Sequence, residues 1–398
     1  MFNLFTKKQK RIYLDNAGAT PVSKRAQAVL IERLSVFGNP SAIHQEGDKA
    51  SQVLQKARNT VATALNAHSY EITFVGTGTE SCNIAILGTI AKVSGITLPH
   101  IITTEIEHPA VLEPIRHLEK TGKVRVTYLP VYDNGIVKVK DIREALTEET
   151  VLVSVMYANN EIGTIQPIKE IGRALDEWKR ERERTFTSYP YFHVDACQAG
   201  NYCNLDVVRL KAHLVTVNAS KVYGPKGIAA LYKREGISVE PTTYGGGQER
   251  ELRSGTESVA LAAAFAEALT EAVELRDTES ERLAVLRDFF FKEVVKHIPD
   301  VTIYGDTKER LPNNINIRVP GITSDELILR LDANGFAVSH KSACASAETD
   351  GSYVVQALGA TIAESLENVR ITLGRDTTQS DLERLISSLQ TIKETFGR

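Results

Sequence analysis

Four cysteines (Cys82, Cys197, Cys203 and Cys344) in 398 residues are too few and too scattered for a disulfide framework. No Cys-x-x-Cys pair or Cys/His cluster has metal-ligand spacing, so no metal site is expected, and free thiols fit a reducing, cytoplasmic setting. Charge of one sign is also missing: 47 Lys and Arg stand against 50 Asp and Glu, leaving a net charge of −3. That balance gives no electrostatic footprint for nucleic acid or an anionic membrane, and binding to neither is expected. Long hydrophobic runs are absent as well. The segment Met1–Lys10 lacks the apolar core of a signal peptide, and no later stretch reaches a membrane-spanning length. There is no internal repeat and no low-complexity tract. What is present is the composition of an ordinary globular protein, 42% hydrophobic and 24% charged, in a chain long enough for a large core and two domains.

Through the middle of the chain, short β-branched runs alternate with helical patterns, which predicts a mostly parallel α/β sheet. The expected strands are 71–75, 101–104, 124–129, 151–156, 191–194, 214–217 and 228–232, and the expected helices between them are 45–66, 80–91, 111–121, 139–146 and 168–184. After the Gly- and charge-rich stretch 244–255 the pattern changes to two long helices, 258–274 and 279–295, followed by shorter strand and helix signals. A large doubly wound domain over 16–258 and a smaller α+β domain from 1–15 and 259–398 are therefore expected. The run Lys179-Arg-Glu-Arg-Glu-Arg184 reads as a solvated helix end, and 179–190 as a surface insertion.

Several polar residues fall at expected strand ends, the edge where ligands of open α/β sheets collect. Phe74-Val-Gly-Thr-Gly-Thr-Glu-Ser81 leads from a strand into a helix, so Gly78 and Thr79 are candidates for holding a phosphate, against the plainer reading of a capped turn. His108 follows the next strand as a candidate for stacking on a planar ring and relaying protons. Asn160, Asp195 and Gln198 close two more strands. Lys221, in Asn218-Ala-Ser-Lys-Val-Tyr-Gly-Pro-Lys-Gly227, sits on a short constrained connection, where an amine can form an adduct with an aldehyde. A carboxylate such as Asp195 beside a pyridine nitrogen keeps that nitrogen protonated, and the pairing with Lys221 points to pyridoxal-phosphate chemistry. Cys344, in Ser339-His-Lys-Ser-Ala-Cys-Ala-Ser346, reads as a thiol on a polar loop, whereas Cys82 reads as a buried core residue. Arg370 lies on a late β-like run and is a candidate for pairing with a substrate carboxylate.

The ordered set Tyr13-Leu-Asp-Asn-Ala-Gly-Ala-Thr-Pro21, Gly38-Asn-Pro-Ser-Ala-Ile-His44, Gly76–Ser81, Glu107-His108, Asn159–Gly163, His193-Val-Asp195, Lys221, Gly245–Arg250 and Arg253-Ser-Gly-Thr256 resembles the NifS/IscS-type cysteine desulfurases. The resemblance runs from about residue 11 to 380. It implies a fold-type I, class V aminotransferase-like enzyme using pyridoxal 5'-phosphate, with a seven-stranded sheet and a homodimeric assembly. By the same resemblance, Lys221 is the Schiff-base lysine and general base, Asp195 the pyridinium partner and His108 the ring-stacking catalytic group. Gln198 and Asn160 contact the cofactor's phenolic oxygen or the substrate, Gly78, Thr79, Asn218 and Ser220 hold the phosphate, and Thr256 comes from the second subunit. Arg370 binds the carboxylate of L-cysteine, and Cys344 takes its sulfur as a persulfide for an acceptor in iron–sulfur cluster assembly or tRNA thiolation. The family often has Ser-x-His-Lys where this chain reads Asn218-Ala-Ser220-Lys221, which removes an imidazole from beside the phosphate. A related pyridoxal-phosphate aminotransferase or lyase, such as a selenocysteine lyase, and a catalytically weak sulfur-transfer scaffold are the alternative readings.

Overall fold

The computed structural model describes residues 11–340 and 351–397. Its first eight strands are β1 (Ile12–Tyr13), β2 (Ile72–Val75), β3 (His100–Thr104), β4 (Arg125–Leu129), β5 (Thr150–Ser154), β6 (Tyr191–Asp195), β7 (Leu214–Asn218) and β8 (Ala229–Lys233). Seven of them form one sheet in the order β2-β8-β7-β6-β5-β3-β4, parallel throughout except for β8, which runs antiparallel to both its neighbours. The helices of this part are α1 (Lys24–Arg33), α2 (Gln45–Leu65), α3 (Gly78–Lys92), α4 (Pro109–Lys120), α5 (Val139–Ala145), α6 (Ile168–Arg180) and α7 (Val207–Leu210).

Strand side chains alternate between two covers, the period-two rule of a sheet buried on both faces. Ile101, Leu152, Leu214 and Leu231 pack with α3 and α4, while the next residues along, Ile102, Val153, Val215 and Tyr232, pack with α2 and α6. On α6, Ile168, Ile171, Leu175 and Trp178 recur at three- and four-residue spacing and supply one such apolar stripe. Helix α2 stops at Asn66, whose φ of 52° is the left-handed cap that asparagine tolerates.

A second buried cluster surrounds β9 (Thr302–Ile303), β10 (Asn314–Arg318) and β12 (Asn368–Thr372), which form an antiparallel sheet in the order β12-β10-β9. The short strand β11 (Phe336–Ala337) pairs in parallel with β1. Where two helices were expected, a single helix α8 runs from Val259 to His297, 39 residues or about 58 Å. The polar stretch Leu275-Arg-Asp-Thr278 contains neither Gly nor Pro, so nothing interrupts the backbone there. It lies between two apolar stripes: Val259, Phe265, Leu269 and Ala272 join the large-sheet core, and Leu283, Leu286, Phe290 and Val294 join the second.

The 179–190 segment also differs from expectation. Its charged residues are mostly exposed, but Lys179 is 1% exposed, and Phe186 turns inward to stack on His213 with 4.4 Å between ring centres. Alternating charges hid this because the aliphatic stem of a lysine buries as readily as an apolar residue when its amine finds an acceptor. Among the described residues, no helix is long and apolar enough to cross a membrane and no cluster of His, Cys, Asp and Glu could hold a metal ion.

Candidate active site

A cleft of about 250 Å³ opens where β2, β3, β5, β6 and β7 end at the carboxyl edge of the large sheet. Gly78 and Thr79 reach it after β2, His108 after β3, Asn160 after β5, Asp195 and Gln198 at the end of β6, and Asn218 and Lys221 after β7. Ala17, Gly18 and Arg370 close it from the side of β1 and β12.

Lys221 ends a short 3-10 turn, 219–221, that follows β7 directly. Its backbone is clamped: Asn201 Nδ2 donates to the Lys221 carbonyl at 2.6 Å, and Thr20 donates to the Ser220 carbonyl through its N–H at 2.9 Å and its hydroxyl at 3.1 Å. The amine donates to the carbonyls of Ala17 (2.7 Å) and Gly18 (2.6 Å), and Gln198 Nε2 donates to Ala17 O at 3.0 Å. A Cβ at residue 18 would lie 2.4 Å from Asp15 Oδ2, so a larger residue there would push the Asp15 carboxylate from its place beside Arg370. Ser220, expected at the phosphate, does not line the cleft. Its hydroxyl and N–H both donate to Asn218 Oδ1 at 3.3 Å, because the 3-10 turn folds residue 220 back over its own N-cap. Serine 220 thereby fixes the amide of Asn218, whose Nδ2 approaches Gly78.

Helix α3 begins at Gly78, with Thr77 Oγ1 accepting from Glu80 N at 3.0 Å as its cap. A side chain at position 78 would meet Cys197 Sγ at 3.0 Å and Asn218 Nδ2 at 3.3 Å, so glycine leaves the first-turn N–H groups open to an anion. The strand leading into this turn is anchored by a buried bidentate ion pair, Arg58 to Glu249 at 2.5 and 2.8 Å, with Glu249 also accepting from Phe74 N at 3.0 Å. Removing one partner of such a pair costs about 3–5 kcal/mol.

Asp195, 6% exposed, accepts from Cys197 N at 3.0 Å. Beneath it runs a buried polar chain in which Ser154 Oγ meets His193 Nδ1 (2.8 Å), His193 Nε2 meets Thr216 Oγ1 (3.1 Å) and Thr216 Oγ1 meets Ser81 Oγ (2.8 Å). Burial pushes His193 down to about 4, so its ring is neutral at pH 7. His108 caps α4, with Nδ1 accepting from Ala110 N at 3.1 Å, which puts the proton of the neutral ring on Nε2. Burial lowers its pKa, the charges of Lys221 and Arg370 lower it further, and Asp195 opposes them.

Glu107, the residue before His108, is fully buried. Its Oε1 accepts from Thr104 Oγ1 and from Met156 N, each at 2.8 Å, while Oε2 has no partner. Burial lifts its pKa to about 8, so the side chain is a neutral acid at pH 7. The sequence marked it only as a member of the Glu107-His108 pair and gave it no role; the signal was a carboxylate directly preceding a strand-end histidine. Asp15 and Ala17 stood in the Tyr13–Pro21 motif without a role of their own, and Cys197 had none.

Arg370 on β12 is 1% exposed; it donates through Nη2 to Asp15 Oδ1 at 2.8 Å and through Nη1 to Asn160 O at 3.1 Å, and its Nε is buried without a partner. Thr256 is exposed on the connection before α8 and does not line the cleft of its own chain. Cys344 lies outside the described residues.

Known proteins are similar to this chain over nearly its whole length. The aminotransferase class-V family profile matches residues 12–385. The cysteine desulfurase IscS of Dictyoglomus turgidum is 41% identical over 392 residues, covering 96% of each chain, and IscS 1 of Archaeoglobus fulgidus is 36% identical over 383 residues, covering 96% of this chain and 97% of that one. Among solved structures, a NifS-like protein superposes with a TM-score of 0.87 at 32% identity, covering 97% of this chain and all of the other. SspA in complex with cysteine superposes with a TM-score of 0.76 at 30% identity, covering 91% and 98%. On this fold, cleft and full-length similarity, the chain belongs to the aminotransferase class-V family, in its NifS/IscS-type cysteine desulfurase branch.

Proposed function

We propose that this protein is a pyridoxal-phosphate-dependent cysteine desulfurase that converts L-cysteine to L-alanine and passes the sulfur through Cys344 to an acceptor protein. The observation that carries this reading is the convergence, in one cleft, of the Lys221 amine, the Asp195 carboxylate and the first turn of α3, with the Arg370 guanidinium opposite. This donor set fits pyridoxal phosphate. An aldehyde meets an amine, a pyridine nitrogen meets a carboxylate, and a phosphate meets a helix N-terminus that residue 78 leaves uncovered.

When bound, the cofactor supplies an electron sink for the pair freed at the substrate Cα. The protein's own residues do the rest. Lys221, held on its short turn by Thr20 and Asn201, would hold the cofactor aldehyde and carry the Cα proton. Asp195 would keep a proton on the ring nitrogen, and His108, whose neutral ring carries its proton on Nε2, would lie against the ring and could relay that proton. Arg370 takes the substrate carboxylate in a bidentate pair, already oriented by Asp15 and the Asn160 carbonyl. Asn160 and Gln198 serve the phenolic oxygen or the substrate, and Gly78, Thr79 and Asn218 hold the phosphate.

The described thiols make poor nucleophiles for the sulfur step. Burial raises the pKa of Cys82, Cys197 and Cys203, and for the first two the charge of Asp195 raises it further. Cys344 is left as the sulfur acceptor. Its thiolate attacks the substrate sulfur, an S–S bond forms as the Cβ–S bond breaks, and the bonding electrons pass to carbon.

Exposed Phe37, Ile43 and Tyr244 support a homodimer in which a partner subunit supplies Thr256. The acceptor belongs to iron–sulfur assembly or tRNA thiolation, and free thiols suit the cytoplasm. The test is alanine and sulfide quantification with L-cysteine: Cys344→Ala keeps the yellow colour and loses sulfide release. Sulfide release by that variant at the wild-type rate refutes the persulfide step.

A further inference from the structure

A second cavity, of about 350 Å³, lies at the opposite edge of the large sheet from the cleft, against the outer end of α6. Arg173, Lys179, Arg180, Arg184 and Lys211 line it, against the carboxylates of Asp176 and Glu177. Both carboxylates are already engaged, Asp176 with Lys211 and Glu177 with Arg143, and Arg184 is engaged with Glu148. Among the described residues, Arg173 and Arg180, exposed and two turns apart on one face of α6, have no acceptor within ion-pair or hydrogen-bond distance, although the charges of both help lower the pKa of Glu177, which is already held by Arg143.

At the buried end, Lys179 Nζ donates to Phe186 O at 2.8 Å and lies 3.2 Å from His213 Nε2. His213 cannot neutralise it. Its Nδ1 accepts from Phe192 N at 3.0 Å, so its proton sits on Nε2 and points at Phe186 O, 2.8 Å away. The charges facing the amine are Asp176, which favours its protonation, and Arg184 and Arg234, which oppose it; with burial as the dominant cause, its pKa falls to about 7. Positive charge is thus under-compensated at the exposed end of the cavity, and at the buried end an amine about half protonated at pH 7 can take up a proton as an anion arrives.

We propose that this cavity binds a small phosphate-bearing anion, with Arg173 and Arg180 as the entering contacts and Lys179 at the buried end. A tetrahedral dianion has acceptor oxygens for donors arriving from several directions, whereas a carboxylate is satisfied by one guanidinium in one plane. At about 350 Å³ the cavity has room for a compact ligand such as a phosphomonoester.

Isothermal titration of the holoenzyme, whose cofactor already fills the phosphate cradle at α3, tests this at constant ionic strength with inorganic phosphate in one arm and glycerol 3-phosphate in the other. The expected result is saturable binding of one anion per chain, weakened about tenfold or more by Arg173→Gln/Arg180→Gln, equivalent to losing at least one charge-assisted hydrogen bond. These are exposed helix positions away from the cleft, so the variant keeps its fold and its activity on cysteine. Binding in the inorganic arm alone identifies free phosphate as the ligand, and binding in both arms identifies a phosphomonoester site. Absence of saturable binding, equal binding by the double variant, or binding only of a polyanion such as RNA overturns the proposal.

Discussion

Substituting Glu107 by Gln turns a buried acid into an amide of the same shape, and the structure sets the size of the effect. In the folded protein Glu107 titrates near 8, against 4.5 for the free side chain. The folded state therefore holds a proton that the unfolded state has released, and the stability linked to that proton is fully present below pH 4.5. It is lost as pH rises and is gone above about 8. The shift corresponds to about 5 kcal/mol in total, of which about 3 kcal/mol is already lost at pH 7. Glutamine does not titrate, yet it still offers an oxygen to Thr104 Oγ1 and Met156 N. The unfolding free energy of Glu107→Gln minus that of the wild type should thus climb by about 1.4 kcal/mol per pH unit between pH 4.5 and 8 and level off beyond. Unpaired amide hydrogens at the Oε2 position add a constant offset of about 1–3 kcal/mol without changing the slope. His193, held near 4, bends the wild-type curve the other way between pH 4 and 6.5 and cancels in the difference. Denaturant titrations of both proteins at half-unit pH intervals give the curve. A flat difference, or one that falls with pH, refutes the neutral-acid assignment.

Two further outcomes follow from the cleft. Arg370→Lys keeps the charge but loses the fork shared by Asp15, the Asn160 carbonyl and the substrate, so kcat/KM for L-cysteine should fall about 10- to 150-fold through KM, for a loss of about 1.5–3 kcal/mol. Steady-state kinetics that place the loss in kcat at unchanged KM contradict a carboxylate-binding role. Lys221→Ala should abolish alanine formation and change the absorbance spectrum of the cofactor-loaded protein, and an unaltered spectrum removes the lysine from its assigned position.

The parts of the fold legible in the sequence were those with a strong local period. The buried β-branched strands β3, β5, β6 and β7 were anticipated to within a residue or two, since strands covered on both faces read as continuous apolar runs. Helix α8 was misread because its polar middle looks like a loop to any local rule, whereas only the location of two separate cores explains it. The cleft residues were legible as strand-end punctuation, and order along the chain made them specific. Ser220 was expected at the phosphate and is found bonded to Asn218 Oδ1, because a serine beside a phosphate site and a serine folded onto its own cap have the same sequence. Glu107 and Asp15 were given no role for a different reason. Their significance lies in a missing or a distant partner, Oε2 without a donor in one case and an arginine on β12 in the other.

The unbroken course of α8 bears on how substrate reaches the cleft. One end of this strut is rooted in the core that carries Lys221 and Asp195, the other in the core that carries Arg370, and no residue between them has a backbone suited to a hinge. The parts of the chain that carry Lys221 and Arg370 are consequently joined by a continuous helix and not by a loop. On the proposed function, that strut would hold the span across which an amino acid is fitted between Lys221 and Arg370.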